Sequence, residues 1–274
     1  MNSQYLIFTD MDGTLLDHHT YSHEPAKNTL KTLKRLQIPV IPNTSKTFDE
    51  MLVLREQIGL TGPFIVENGA AIFIPHAFFK HKPANTQWIN EHWLHQFTSK
   101  RSHWLNLLNR LEHDFSGLFT HFANMDINEI CEATGLSPEQ AQRAANRHYG
   151  EPVLWLGDER QKQLFIQAVR AMGASPLIGG RFIHISGECN KGIAMRWLCN
   201  EYRRQHPDKL CTSIALGDGN NDTAMLDAAD VAVRIKSPTH DFPRLNRTQN
   251  TLDSISEGPK GWSETVTHIL NLTS

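Results

Sequence analysis

No apolar run in this 274-residue chain approaches the roughly eighteen residues that a membrane-spanning helix needs, so no span and no membrane partner are indicated. Clustered cysteines are also missing. Cys131, Cys189, Cys199 and Cys211 are scattered without C-x-x-C spacing, which argues against a zinc site and a disulfide framework and leaves them as reduced, apolar fillers. Neither sign of charge dominates: 27 Lys and Arg face 29 Asp and Glu, and no basic block stands out, so a nucleic-acid partner is not indicated. The N-terminus runs into Tyr5-Leu6-Ile7-Phe8 with no basic residue ahead of it, unlike a signal peptide, and a cytoplasmic location is expected. Internal repeats and low-complexity tracts are lacking as well. Histidine, by contrast, is abundant. None of the 15 falls in an H-E-x-x-H or similar ligand arrangement, so they read as solvated or core-edge imidazoles.

Residues 1–75 alternate short apolar runs with helical patterns, as a parallel sheet with crossover helices does. Leu6-Ile7-Phe8 reads as a buried strand, Pro25 opens a helix, and Ile38 to Ile41 forms the next strand. Thr47 and Glu50 form a capping box for a helix that stops at Gly59. Phe64-Ile65-Val66, a turn at Asn68-Gly69, and Ala70 to Ile74 make a hairpin. From about residue 80 to 187 aromatic and polar residues are mixed, with helices opening at Ser137 and Asp158, strands at Val153 to Leu156 and Arg181 to Ile185, and a tight turn at Gly179-Gly180. The first texture returns after Lys191, with strands at Ile214-Ala215-Leu216 and Val231-Ala232-Val233, while Ser237 to Ser256 reads as a long surface loop. The expected fold is α/β: a doubly wound, Rossmann-like parallel-sheet core (residues 1–80 and 188–274) interrupted by an inserted α+β unit (81–187) with a partly antiparallel sheet.

Four pieces of sequence fall at strand ends or helix starts, where open α/β sheets gather ligands. Asp10-Met11-Asp12-Gly13-Thr14 offers two carboxylates beside a glycine that permits a sharp turn, although an Asp-Gly turn or helix cap accounts for it taken alone. Asn43-Thr44-Ser45-Lys46 offers a hydroxyl and backbone N–H groups, or simply a helix entry. Lys191 opens a helix and can place a positive charge against the first carboxylate, whereas lysines at helix ends are usually solvated. Gly217-Asp218-Gly219-Asn220-Asn221-Asp222 is an oxygen-rich cluster suited to a hard cation such as Mg²⁺; it lacks the residue order and closing Glu of a calcium loop. Together the pieces supply a carboxylate nucleophile, a neighbouring acid, a metal site and positive charge around one phosphate, the set that phosphoryl transfer requires.

In this order, Asp10-x-Asp12-Gly13-Thr14, Thr44, Lys191 and Gly217-Asp218-x-x-Asn221-Asp222 resemble the four motifs of the haloacid dehalogenase superfamily, over the whole chain. The gap between Thr44 and Lys191 is the one long enough for a further domain, as in the Cof-like members with a cap between the second and third motifs. Within that group, Thr44-Ser45-Lys46-Thr47, Glu67-Asn68-Gly69-Ala70, Gly180-Arg181-Phe182-x-His184 and Glu257-Gly258-Pro259-x-Gly261-Trp262 resemble the mannosyl-3-phosphoglycerate phosphatases. Most Cof-like relatives carry Gly-Arg where this chain has Ser45-Lys46.

The resemblance implies a phosphatase whose substrate is a small phosphorylated sugar or glycosyl-glycerate. It implies Asp10 as the nucleophile that forms an aspartyl-phosphate and Asp12 as general acid and base. Mg²⁺ is then held by Asp10, Asp218 and the Asp12 carbonyl, with Asp222 as a further carboxylate. Thr44 and Lys191 hold the phosphoryl oxygens, Asn68, Gly69 and Asn221 line the same pocket, and Ser45, Lys46, Arg181 and His184 meet the rest of the substrate. Phosphatases or phosphomutases of other sugar phosphates share these motifs, including those acting on glucosyl-3-phosphoglycerate, hexose phosphates or sucrose phosphate. A catalytically silent phosphate-binding protein is the alternative outside enzymes, and the intact Asp10, Asp12, Lys191 and Asp218 speak against it.

Overall fold

Strand β1 (Ser3–Thr9) turns Leu6 and Phe8 to one face of a sheet and Ile7 to the other, and all three are fully buried. A strand covered on both faces must be apolar throughout, which is why this one reads as a continuous run. The structure, a computed structural model, describes residues 3–179 and 181–272, so Gly180 of the expected turn and motif lies outside the described residues.

After β1 the chain forms α1 (Lys27–Arg35), β2 (Val40–Pro42), α2 (Phe48–Ile58) and a hairpin of β3 (Phe64–Val66) and β4 (Ala71–Pro75). A second hairpin follows, β5 (Gln87–Ile89) and β6 (His92–Gln96). The insert contains α3 (Arg101–Leu111), β7 (Phe119–His121), α4 (Ile127–Thr134), α5 (Pro138–Ala145), β8 (Glu151–Trp155), α6 (Glu159–Ala171), β9 (Leu177–Ile178) and β10 (Phe182–Ile185). The last part contains α7 (Lys191–Gln205), β11 (Leu210–Gly217), α8 (Thr223–Ala228), β12 (Val231–Lys236), β13 (Thr251–Glu257) and α9 (Gly258–Ile269).

The main sheet is parallel, in the order β13-β12-β11-β1-β2. Beyond β2 a single parallel bridge between Asn43 and Ile65 leads to the antiparallel set β3-β4-β6-β5. Side chains of α1, α2 and α9 cover the face that carries Ile7, and those of α7 and α8 cover the face that carries Leu6 and Phe8. The insert has its own antiparallel sheet, β7-β8-β10-β9, and its own apolar cluster around Trp104, Leu108, Phe165 and Val169. The doubly wound core and the α+β insert are thus both present.

Two details differ from the sequence reading. The β5–β6 hairpin pairs with β4, and Leu94 packs into the core cluster, so by strand pairing residues 87–96 sit with the main body and not with the 81–187 unit. Its half-exposed Trp93 and His92 gave it the mixed texture of the insert. The stretch from Ser237 to Ser256 ends in β13, which pairs parallel with β12. As an edge strand with Ile255 89% exposed and Asp253 paired to Arg234, it carries a polarity that hides it.

Within the insert, Glu151 is fully buried at the start of β8, where it accepts hydrogen bonds from Arg101 Nε, His121 Nδ1 (2.9 Å) and the Ala123 N–H (2.7 Å). Removing one partner of such a cluster strands the others without a counter-charge. Glu151→Ala is therefore expected to lower stability by about 3–5 kcal/mol in denaturant unfolding, and a loss below 1 kcal/mol would show the cluster to be solvated.

Candidate active site

β1 lies between β2 and β11, so the chain leaves it on one side toward β2 and returns on the other at β11. Loops diverge at such a reversal of strand order, and a crevice opens at the strands' C-terminal ends. The backbone closes this edge tightly: Asp10 N–H donates to Leu216 O (2.9 Å) and Asn43 N–H to Thr9 O (2.8 Å). Asp10, Thr44 and Asp218 follow the ends of three adjacent strands, and each is buried. Gly13 lets the first loop turn back, because at its φ of +75° a Cβ would lie 2.7 Å from Asp218 Oδ2.

Lys191 comes to the same point from α7. Asn190 caps that helix by accepting from Ile193 N–H (2.9 Å), and Asn43 Nδ2 donates to Lys191 O (2.9 Å). Gly69 packs so closely that a Cβ would sit 2.2 Å from Asn190 O. With its backbone fixed, the fully buried Lys191 places Nζ 2.6 Å from Asp10 Oδ1 and 2.6 Å from Asp222 Oδ1. Burial alone would push its ammonium down; the Asp10 and Asp222 charges outweigh that and hold it protonated.

Carboxylate oxygens of Asp10, Asp218 and Asp222 lie within 4.8 Å of one another, all three residues buried. Burial pushes Asp10 up to about 7, against the pull of Lys191, and burial with the Asp10 charge pushes Asp218 up to about 6. Three crowded carboxylates against one ammonium leave a surplus of negative charge that a divalent cation suits, and the all-oxygen donor set is that of a hard ion. The three do not contribute alike. Asp222 is committed to Lys191 through Oδ1 and to the Asp218 and Gly219 N–H groups through Oδ2 (3.1 and 3.0 Å), whereas Asp10 keeps one oxygen free of hydrogen bonds and the second oxygen of Asp218 has only His240 Nε2 near it, at 3.5 Å, among the described residues. Thr14, quoted in the motif but given no role, donates to Asp218 Oδ1 at 2.9 Å.

A cavity of about 570 Å³ adjoins this cluster, lined from the core by Asp12, Ser45 and Lys46 and from the insert by Arg147, Arg181 and His184. Lys46 Nζ lies 2.9 Å from Asp12 Oδ2 and 3.7 Å from Glu50, while Asp12 Oδ1 is buried without a partner. Burial works against the Lys46 charge, and Asp12 and Glu50 more than restore it. Asn68 and Asn221 meet at 3.4 Å beside Gly69. Of the expected residues, Asp10, Asp218, Asp222 and Lys191 meet directly, Asp12, Ser45, Lys46, Arg181 and His184 surround the cavity, and Thr44, Asn68, Gly69 and Asn221 lie on the loops around the cluster. A larger cleft of about 650 Å³, lined by Gln4, Gln37 and Gly59, opens at the other end of the strands and contains no carboxylate.

Three contributors had no signal in spacing. Trp262, fully buried on α9, donates its indole N–H to Thr9 Oγ1 (3.0 Å) directly before Asp10, which gives the C-terminal Gly-Trp motif a supporting role. Glu67 adopts φ +48° and Asn68 φ +59°, sparsely populated for residues with a Cβ. From that turn Glu67 accepts hydrogen bonds from the N–H groups of His148, Tyr149 and Gly150 (2.8, 3.1 and 2.9 Å), tying the core to the insert. Arg147, the third, donates Nη2 to Ser45 O at 3.2 Å. Glu67 and Trp262 stand in quoted motifs, but no local pattern links them to partners so far away in the chain.

The haloacid dehalogenase-like hydrolase family matches residues 7–113. A protein of Methanococcoides burtonii named glucosyl-3-phosphoglycerate/mannosyl-3-phosphoglycerate phosphatase is 33% identical over 267 residues, covering 97% of both chains. Among solved structures, a phosphatase of the haloalkanoate superfamily from Bacteroides thetaiotaomicron superposes with a TM-score of 0.67 at 14% identity, over 97% of this chain and 95% of that one. The sucrose-phosphatase of Synechocystis, solved with sucrose and phosphate, superposes with a TM-score of 0.61 at 13% identity, over 98% of each chain. These two share the fold.

His184 provides a check on the cavity's electrostatics. Burial and the nearby Arg147 charge push its imidazole down to about 3, and its Nδ1 is buried without a partner among the described residues. Below the ordinary value near 6.5 the unfolded chain takes up a proton that the folded site excludes, so stability falls as pH drops from about 6.5 toward 3. His184→Gln should reduce the stability lost between pH 7 and pH 5 by about 1–2 kcal/mol. Equal losses in the two proteins, measured by denaturant midpoints, would place a charged imidazole there.

Proposed function

The chain belongs to the haloacid dehalogenase-like hydrolases and is a phosphatase, and on that premise we propose that it removes the phosphate from a glycosyl-3-phosphoglycerate, mannosyl or glucosyl, using Mg²⁺. The observation that carries the substrate reading is the 33% identity, over nearly the full length, to a phosphatase so named. The cavity supports it. Its volume of about 570 Å³ is ample for a disaccharide-sized ester, and cationic side chains from the insert line it.

In this reading Asp10 attacks phosphorus and carries the phosphoryl group as an aspartyl-phosphate, dividing one displacement into two. Asp10 reaches this role with one oxygen held by Lys191 and the other free. Asp12 serves the leaving oxygen. Lys46 fixes its Oδ2, so the unpartnered Oδ1 is the atom that delivers a proton to the departing alkoxide and later removes one from water. Lys191 and Thr44 hold phosphoryl oxygens, and Asn68, Gly69 and Asn221 complete the phosphate pocket. Asp10, Asp218 and the Asp12 carbonyl would hold Mg²⁺, with Asp222 orienting the Asp218 loop by accepting its two N–H groups. When bound, the ion neutralises the repulsion between a carboxylate nucleophile and a phosphate dianion.

Phosphate release from a panel of mannosyl-3-phosphoglycerate, glucosyl-3-phosphoglycerate, sucrose phosphate and hexose phosphates tests this. A glycosyl-phosphoglycerate should be preferred, chelation should abolish turnover and Mg²⁺ restore it, and Asp10→Asn should lose activity by about 10⁴-fold or more. Preference for a hexose phosphate would discard the named substrate. Turnover that survives Asp10→Asn would discard the nucleophile.

A further inference from the structure

The cation contributed by the insert is short of acceptors. Arg147, just beyond α5, is 8% exposed, and its guanidinium carries five N–H donors in a fixed planar fork. Among the described residues, Nη2 reaches only a neutral carbonyl, Ser45 O at 3.2 Å, and Nε is buried without a hydrogen-bond partner. Glu67 Oε2 lies 3.4 Å from Nε, but that carboxylate already accepts three backbone N–H groups. Its charge is therefore shared among four donors. His184 Nδ1 is likewise buried and unpartnered, and both side chains line the cavity that Asp12 and Lys46 reach from the core. Unmet buried donors on a cavity wall are costly unless a ligand meets them, and a buried guanidinium favours a planar anion.

We propose that Arg147 is the specificity-determining residue of this site, binding the carboxylate of a substrate whose phosphate ester lies at Asp10, with His184 adding a neutral hydrogen bond. The proposal rests on the glycosyl-phosphoglycerate reading and adds the residue that recognises the acid. It also reassigns a role. Arg181, expected from the motif to grip the carboxylate, lines the same cavity with an exposed side chain and donates Nη1 to Ala133 O at 3.0 Å. An exposed guanidinium competes with water for its anion, whereas one shielded from solvent attracts it through a lower dielectric. Arg147 selects by exclusion as well: an ester with no acid leaves the buried cation unmet.

The test compares two esters, a glycosyl-3-phosphoglycerate and the glycosyl-glycerol phosphate in which a hydroxymethyl group replaces the carboxylate. Arg147→Met should raise KM for the acid roughly 10- to 100-fold with little change in kcat, leave the hydroxymethyl ester nearly unaffected, and weaken inhibition by the phosphate-free glycosyl-glycerate in parallel. Glu67→Gln, measured beside it, separates recognition from holding the insert in place. If both variants lose activity equally on both esters, Arg147 is a structural clamp and the assignment is overturned; it is overturned too if Arg147→Met leaves KM for the acid unchanged. If the unsubstituted protein hydrolyses only esters without a carboxylate, the substrate reading falls first and the assignment with it.

Discussion

A buried ammonium between two buried carboxylates holds this site together. Lys191 Nζ, 2.6 Å from both Asp10 and Asp222, joins the end of β1, the start of α7 and the loop after β11. Taking three charges out of water is expensive, and the geometry must be near ideal to offset it. The surroundings are built to that standard. Asn43 holds the Lys191 carbonyl, Gly69 permits close approach of the backbone, and two N–H groups occupy the second oxygen of Asp222. Because one ammonium cannot balance three carboxylates, the cluster keeps an excess of negative charge that suits a cation. Positioning and metal affinity thus have a common origin.

The insert meets the core through contacts of a different character. Thr47 donates to Arg143 O (2.9 Å), Asn146 Nδ2 to Asp49 Oδ2 (2.5 Å), Arg147 to Ser45 O, and Glu67 accepts three N–H groups. Apart from Tyr149, which packs into the core cluster, these contacts are polar. Polar contacts can be exchanged for water at small net cost, whereas separating an apolar interface loses its whole burial energy. The insert, which has its own apolar cluster, is thus attached to the core mainly by hydrogen bonds and hardly at all by apolar burial.

The parallel core was legible because its central strands are buried on both faces and punctuated by caps. Thr47 forms the capping box that its spacing to Glu50 indicated, helices open at Ser137 and Asp158 where the sequence placed helix starts, and Asp10 and Asp218 follow strand ends as the fold class favours. What escaped notice was half-exposed or non-local. β13 alternates too weakly because one of its sides faces water, and the β5–β6 hairpin resembles the insert because both present mixed aromatic and polar surfaces. Glu67 stands within a motif quoted for its neighbours, yet its work is done across the cavity, 81 to 83 residues away in sequence. No local pattern encodes such a pairing; it exists only once the insert is folded and docked.

Lys46 and Arg147 show how one cavity can treat two anions differently. Lys46 is answered twice from its own side, by Asp12 and by Glu50, so its charge holds those carboxylates more than it attracts a ligand. Arg147 is answered once, by a glutamate whose oxygens are already occupied. Unsatisfied positive charge therefore accumulates on the insert's side of the cavity, and unsatisfied negative charge accumulates at the Asp10 cluster, where on the proposed reading a bound cation would turn it into a phosphate site. A molecule with a phosphate ester at one end and a carboxylate at the other satisfies both. A neutral sugar phosphate satisfies one, which is the physical basis on which this arrangement distinguishes them.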